Sequence, residues 1–292
     1  MPIVELLLNR EEKRGDARMQ WRLVNSGISD AADNMAVDEA ILKAHARGET
    51  PPTLRFYGWQ PAAVSIGYFQ QAASDINVDK CRELGIDVVR RLTGGRAVFH
   101  HEELTYSIIV REDCPLVPAT ITASYRYFSS GLLAGLNKLG IDARLSMPQA
   151  AYGQTRRRHA SAACFDAPSH YEITAQGRKL AGSAQVRKDG VVLQHGSVLL
   201  TFNAELVASL LNLPSAEMQN SVAEMLAKRA VSVREILGRE VAWQSAYQAM
   251  ADTFGAALGI ELEPGQLSEQ EQSAAAELAA VKYRCDSWNL LR

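Results

Sequence analysis

The chain has few of the features that send a protein to membranes, to the cell exterior or to nucleic acid. Only four of its 292 residues are cysteine. Cys81, Cys114, Cys164 and Cys285 are scattered with no CxxC pair, which argues against a structural zinc site and a secreted disulfide framework. The formal net charge is only −2, so bulk electrostatics do not point to a nucleic-acid binder. No apolar run is long enough to span a bilayer. The VELLL run near the N-terminus is too short for a signal h-region and lacks a small-residue cleavage site. Internal repeats and low-complexity segments are absent. These gaps together predict a reduced, cytoplasmic protein with no membrane or nucleic-acid partner.

What is present is ample apolar content, 47% of residues, enough for one large packed domain. Residues 1–20 read as a disordered extension, in which Met1–Arg18 is polar and unpatterned and Met19 is an alternative start. The main domain is expected over 21–263, with its core at about 47–262. A helical segment over 264–292 is expected to pack on that core. Ser29 or Asp30 can cap a helix running to about Ala46, with Gly48 as its stop. Strands are expected at Thr53–Tyr57, Ala63–Gly67, Asp87–Leu92, Ala97–His100 and Leu104–Val110. Helices are expected near Val78–Leu84 and over Thr122–Leu139, and Ile141–Leu145 is strand-like. The irregular stretch Pro148–Ser169, with its Arg156–Arg158 cluster, reads as a functional loop. A β-meander follows over Tyr171–Thr174, Lys179–Arg187 and Val191–Leu200, its last turn at Lys188-Asp189-Gly190. From Ala204 onward the pattern is helical, with one short strand at Ile260–Leu262. Strands and helices mix without βαβ alternation, so the fold class is α+β with a largely antiparallel sheet.

Two runs carry chemistry. Arg90–Ser107 reads RRLTGGRAVFHHEELTYS, a Gly-Gly turn between arginines and between two β-type stretches. Paired glycines let backbone N–H groups approach a ligand, and Arg91 and Arg96 would bring positive charge to an anionic or thioester-bearing substrate. A tight turn with solvated arginines fits the same residues. The second run, Ala163–Leu200, sets Cys164 in the irregular loop. A thiol there can attack a thioester if a nearby cation lowers its pKa, and Lys179 is a candidate cation. Gly182-Ser183 is a small-residue step, Gln185 shares a strand face with Ser183, and Gln194, His195, Gly196 and Ser197 fall on the neighbouring strand. Each has a plain structural alternative: a buried thiol, a solvated lysine, a bulge, a core histidine.

The order and wording of these runs resemble the lipoate–protein ligase and octanoyltransferase superfamily, which shares its catalytic fold with biotin–protein ligases. ATP-dependent ligases typically carry three glycines and then His-Asp. Here Arg96 replaces the third glycine, and His100-His101 stands where His-Asp is usual. GGR with ELTYS is similar to the LipM-type octanoyltransferases, as are CF-APS-YE, GRKLAGSAQ-R, LQHGS and the closing KYRCDSWN (Lys282–Asn289). The resemblance covers roughly Trp21 to Arg292. It implies transfer of an octanoyl group from octanoyl-acyl carrier protein, through a thioester on Cys164, to a lysine of the glycine-cleavage H protein or another lipoyl domain. Lys179 would then lower the thiol pKa, and no ATP or metal would be needed. An apolar tunnel for the C8 chain is expected near Gly67, Gly94, Gly95, Gly182 and Ser183, with Thr93, His100, Gln185, His195 and Gly196 also close to substrate. His100, His101 and His195 are candidates to take the acceptor lysine's proton. Two alternatives in the superfamily are an ATP-dependent lipoate–protein ligase and an amidotransferase moving the acyl group from H protein to other lipoyl domains.

Overall fold

Asp30 ends the first strand and caps the first helix. In a computed structural model, residues 18–146 and 172–291 are described. Strand β1 (Met19–Ser29) leads into α1 (Ala31–Ala46), whose cap Asp30 accepts a hydrogen bond from the Asp33 amide at 2.8 Å. Next come β2 (Thr53–Trp59), β3 (Ala63–Ile66), short helices α2 (Ala72–Asp75) and α3 (Val78–Glu83), β4 (Asp87–Arg90), β5 (Val98–His100) and β6 (Glu103–Arg111). Helix α4 (Ile121–Lys138) precedes β7 (Arg144–Ser146), β8 (Glu172–Ala175), β9 (Arg178–Lys188) and β10 (Val191–Leu199). The remainder is α5 (Ala204–Ser209), α6 (Ala216–Arg229), α7 (Val233–Leu237), α8 (Trp243–Leu258), β11 (Ile260–Gly265), α9 (Glu269–Leu278), a π-helical turn (Ala279–Tyr283) and α10 (Asp286–Asn289). No helix among the described residues is long and apolar enough to cross a membrane.

Eight strands form one sheet in the order β11-β1-β2-β6-β10-β9-β8-β7, and β4-β3-β5 form a smaller one. In the large sheet β1 is parallel to both its neighbours, and the other pairs are antiparallel. This is the α+β arrangement expected from the sequence. The β9–β10 hairpin closes on Asp189 and Gly190 with φ of 53° and 73°, the left-handed pair that a two-residue turn with the sheet's own twist requires.

The period-2 alternation of β2 and β6 divides the core into two layers. Leu54, Phe56, Leu104, Tyr106, Ile108 and Val110 face α4 and α8, where they meet Phe128, Leu132, Leu136, Met250 and Phe254. Gly131 and Gly135 let α4 approach α8, since a Cβ on either would lie 2.5 Å from the Phe254 ring or 2.1 Å from Met250 Sδ. The intervening residues Arg55, Tyr57, Trp59, Thr105 and Ser107 are buried on the opposite side, which is the side of α1: Asp38 of that helix bonds Arg55, Tyr57 and Ser107.

Two boundaries differ from expectation. Strand β1 begins at Met19, inside the expected extension, and its Trp21 and Leu23 join the core well before residue 47. The sequence signal for β1 is masked because MQWRLVNSGIS breaks its alternation at Asn25–Ile28, where its pairing with β2 shifts register. Helix α1 is buried almost all round, including Asn34, Asp38, Glu39 and His45. The C-terminal segment covers its far side. Glu271 takes two hydrogen bonds from Arg22, at 2.7 and 2.6 Å, while Lys282 Nζ and Tyr283 OH both reach Glu39 Oε2 at 2.6 Å.

Candidate active site

The Gly-Gly turn is wrapped around its own arginine. Arg91 Nη2 donates to the carbonyls of Gly94 (2.9 Å) and Arg96 (2.8 Å), Nη1 donates to Ser65 O (2.8 Å), and Nε donates to Thr93 Oγ1 (3.1 Å). Arg90 is fully buried and gathers the carbonyls of Gly67, Tyr68 and Gln70 with one nitrogen, at 2.9–3.1 Å. Asn289 and Trp288 hold the rest of that side chain. Arg91 is not the solvated arginine of a plain turn: its guanidinium organises loop carbonyls, and only 4% of the residue is exposed, on the wall of a cavity. Arg96 is half-buried and stays on the wall of the cavity that this loop encloses.

That cavity holds about 290 Å³, close to the lower end of the range for small-molecule sites, roughly 300–1,000 Å³. Its walls come from α1 (Met35), β2 (Tyr57, Trp59), β3 (Ser65), the loop after β4 (Arg91, Gly95, Arg96), β5 (Val98, His100), β6 (Thr105), β9 (Lys179, Gly182, Ser183, Ala184) and β10 (His195, Gly196, Ser197). Lys179 is buried, and its Nζ donates to Glu172 Oε1 at 2.8 Å. The small residues of β9 and β10 explain this geometry. A Cβ on Gly182 would lie 2.8 Å from Lys179 Cε, and one on Gly196 would lie 2.4 Å from Gly182 O. Gly182 thus makes room for the lysine stem, and Gly196 lets the two strands close.

Two buried histidines line the cavity. His195 Nε2 is 2.6 Å from Thr93 Oγ1, and its Nδ1 is 3.6 Å from Asp38 Oδ2. Burial pushes its pKa down, against the pull of Asp38. His100 Nε2 is 2.7 Å from Ser65 Oγ, Nδ1 is 2.6 Å from Glu103 Oε1, and the ring stacks on Trp59 at 4.1 Å. Behind Ser183 runs a chain of neutral hydrogen bonds. Tyr106 OH is 2.8 Å from Ser183 Oγ, Gln194 Nε2 donates to Tyr106 OH at 2.8 Å, and Gln185 Nε2 donates to Gln194 Oε1 at 2.9 Å.

Of the expected site residues, Arg91, Gly95, Arg96, His100, Lys179, Gly182, Ser183, His195 and Gly196 share this one cavity. Thr93 stands one hydrogen bond behind it, at His195, and Gln185 three, through Gln194 and Tyr106 to Ser183. Gly67 and Gly94 are not on its wall. A Cβ on Gly67 would sit 2.0 Å from Gly95 O, so Gly67 is small to let β3 meet the Gly-Gly loop and not to admit substrate. Gly67→Ala should cost about 1–3 kcal/mol, as overpacking against fixed backbone does, read as a fall in the urea midpoint. His101 is exposed and lines a different cavity, with Phe99 and Glu102. Cys164 and the Arg156–Arg158 cluster lie outside the described residues. Among the described cysteines, burial pushes the Cys81 thiol up to about 11, which makes it a poor nucleophile. Sequence reasoning missed Ser65, Asp38, Arg55, Tyr57, Trp59 and Glu103. The available signal was a charge placed among apolar residues, Arg55 in TLRFYGW and Asp38-Glu39 in α1.

Residues 30–255 match the profile of the lipoyl protein ligase A/B catalytic domain. The chain belongs to that family. Within it, the chain is 47% identical over 269 residues to octanoyltransferase LipM of Kyrpidia tusciae, covering 92% of this chain and 98% of the relative. It is 42% identical over 273 residues to octanoyltransferase LipM of Bacillus subtilis, covering 93% and 98%. This family member is therefore an acyltransferase of the LipM type. Among solved structures, a bipartite lipoate protein ligase from Thermoplasma acidophilum superposes with a TM-score of 0.77 at 26% identity, covering 94% of this chain and 98% of that one. A lipoate-protein ligase A bound with ATP gives 0.74 at 28% identity, covering 93% and 99%.

Proposed function

We propose that the enzyme transfers an octanoyl group from octanoyl-acyl carrier protein to a lysine of a lipoyl-accepting protein, the glycine-cleavage H protein or another lipoyl domain. The observation that carries this reading is a buried lysine, Lys179, on the wall of a cavity whose lining is largely apolar. Burying seven carbons of the acyl chain there contributes roughly 6 kcal/mol, at about 0.8 kcal/mol for each. The nucleophile in this reading is Cys164. A buried ammonium favours the thiolate over the thiol. The thiolate attacks the carrier thioester, the carrier thiol leaves, and the acyl group rests on Cys164. The acceptor amine then attacks, and Cys164 sulfur departs. One thioester replaces another before the amide forms, so the reaction needs neither ATP nor a metal. The LipM names of the relatives support the octanoyl group.

Intact-mass analysis of the enzyme mixed with octanoyl-acyl carrier protein tests this. One octanoyl adduct is expected, mapped to Cys164 and lost in Cys164→Ser. An adduct on Cys81, Cys114 or Cys285 sinks the assignment of the nucleophile. Adenylate formation from free octanoate with ATP, without an adduct, makes the enzyme a ligase. Loading from octanoylated H protein but not from the carrier makes it an amidotransferase.

A further inference from the structure

The two cavity histidines differ in what lies beyond them. His195 is bonded to Thr93, which is not on the cavity wall. His100 is bonded to Ser65, which is. Ser65 Oγ, His100 Nε2, His100 Nδ1 and Glu103 Oε1 are joined by contacts of 2.7 and 2.6 Å. Arg91 Nη1 donates to Ser65 Oγ at 3.1 Å, and the hydroxyl keeps its own hydrogen to donate to His100 Nε2. With the imidazole hydrogen on Nδ1 facing Glu103, this is the tautomer a serine–histidine–carboxylate relay uses. Trp59 holds the ring flat, at 14° between planes, and donates to Thr105 Oγ1, which in turn donates to Glu103 Oε1. Glu103 is 2% exposed, and its Oε2 has no hydrogen-bond partner among the described residues. A buried carboxylate with one oxygen unsatisfied is costly unless a positive charge is to appear beside it.

We propose that Ser65, His100 and Glu103 form the proton relay that neutralises the acceptor lysine; this rests on the transfer reaction proposed above. A free lysine is neutral in only about one molecule in 2,500 at pH 7, so aminolysis of an acyl-enzyme needs a base. The lysine ammonium gives a proton to Ser65 Oγ as the Ser65 proton moves to His100 Nε2. The resulting imidazolium is held by Glu103. The neutral amine attacks the thioester carbonyl, a C–N bond forms, and the C–S bond breaks with its electron pair on Cys164 sulfur. That sulfur takes the second nitrogen proton, and His100 returns the first to solvent. The charged and titratable groups facing His100 are Glu103 from β6, Arg91 from the Gly-Gly loop and His195 from β10. Arg96 and Lys179 share the cavity. Ser65 touches the acceptor, whereas His100 and Glu103 position and charge it.

The two half-reactions separate this role from a structural one. Ser65→Ala, His100→Gln and Glu103→Gln enzymes are first loaded from octanoyl-acyl carrier protein. The isolated acyl-enzymes are then mixed with a lipoyl domain or with hydroxylamine, whose nitrogen is already unprotonated at neutral pH. Each acyl-enzyme serves as its own reference. The ratio of lysine transfer to hydroxylamine cleavage should fall roughly a hundredfold from the wild-type ratio, the usual worth of a general base. Wild-type lysine transfer in Ser65→Ala and His100→Gln overturns the relay, as does an equal fall with both amines. Glu103→Gln keeps the shape of the pair, so matching thermal midpoints there exclude misfolding as the cause. A wild-type enzyme that takes no octanoyl from the carrier overturns the transfer reaction and the relay with it.

Discussion

Lys179→Met should lower octanoyl loading from carrier protein by at least about a hundredfold, the cost of removing one fixed electrostatic donor from an enclosed site. The chain should still fold. Methionine has nearly the same length and no charge, and it fits the trough that Gly182 leaves for the stem. The backbone role of the residue also survives, because Val231 N bonds to its carbonyl oxygen and not to its side chain. Glu172 loses its ion-pair partner at 2.8 Å, but its side chain is 20% exposed and water can reach it. With the ammonium gone, the thiolate loses the favour of the Lys179 charge. Loading by the variant should therefore climb as pH rises through about 8.5, where an ordinary cysteine ionises. The wild type should climb at lower pH. Single-turnover loading followed by mass spectrometry across pH reads both effects. A Lys179→Met enzyme that loads at the wild-type rate would show that the cation is not needed. Lys179→Arg is informative beside it, since the charge is kept while the planar head needs space that the strand lacks.

Much of the scaffold was legible because its elements obey strong local rules. The cap at Asp30, the stop at Gly48, the Asp189-Gly190 turn and the alternation of β6 are short-range signals, and the structure matches each. Strand β1 was not legible because its bulge spoils the period and its partners, β2 and β11, are remote in sequence. The site splits in the same way. Lys179, Gly182, Ser183, His195 and Gly196 are on two adjacent antiparallel strands, and the hairpin turn fixes their register. Gly67 was misread because a small residue in sequence does not say whether a ligand or another backbone fills the space. Ser65 and Glu103 went unnoticed for a different reason. Ser65 lies in a four-residue strand 35 residues from His100, and only the fold brings them together, while Glu103, three residues after His100, reads as the ordinary start of β6.

Asp38→Ala should destabilise the fold by about 3–5 kcal/mol, the cost of leaving one member of a buried ion pair without the other. Arg55 is 1% exposed in the middle of β2. Its guanidinium donates to Asp38 Oδ1 at 2.7 Å and to Asn34 O and Oδ1 at 3.0 and 2.9 Å, and lies 4.0 Å from the Tyr57 ring centre. Asp38 also accepts from Tyr57 OH at 3.0 Å and Ser107 Oγ at 2.7 Å. Alanine would strand an arginine, a tyrosine and a serine at once. Asp38→Asn keeps the shape and should lose less. The pair also carries a pH signature. Burial pushes the Asp38 carboxyl up, but Arg55, His195 and Ser107 outweigh it and hold it below the ordinary carboxylate range. Its contribution is therefore complete above about pH 4, the unfolded value, and disappears as pH falls through the lower folded value. Glu39 and Glu271, also depressed despite burial, act in the same direction. Urea unfolding from pH 7 downward should show wild-type stability falling steeply below about pH 4. Asp38→Ala should start lower and fall less, because one of the three carboxylates is gone. Parallel curves would mean that the Asp38 carboxyl titrates alike in the folded and unfolded chain, against the depressed folded value. The consequence reaches the site, because the same carboxylate sits 3.6 Å from His195 Nδ1. Loss of Asp38 should therefore loosen one wall of the cavity and raise the apparent KM for the octanoyl donor before kcat falls.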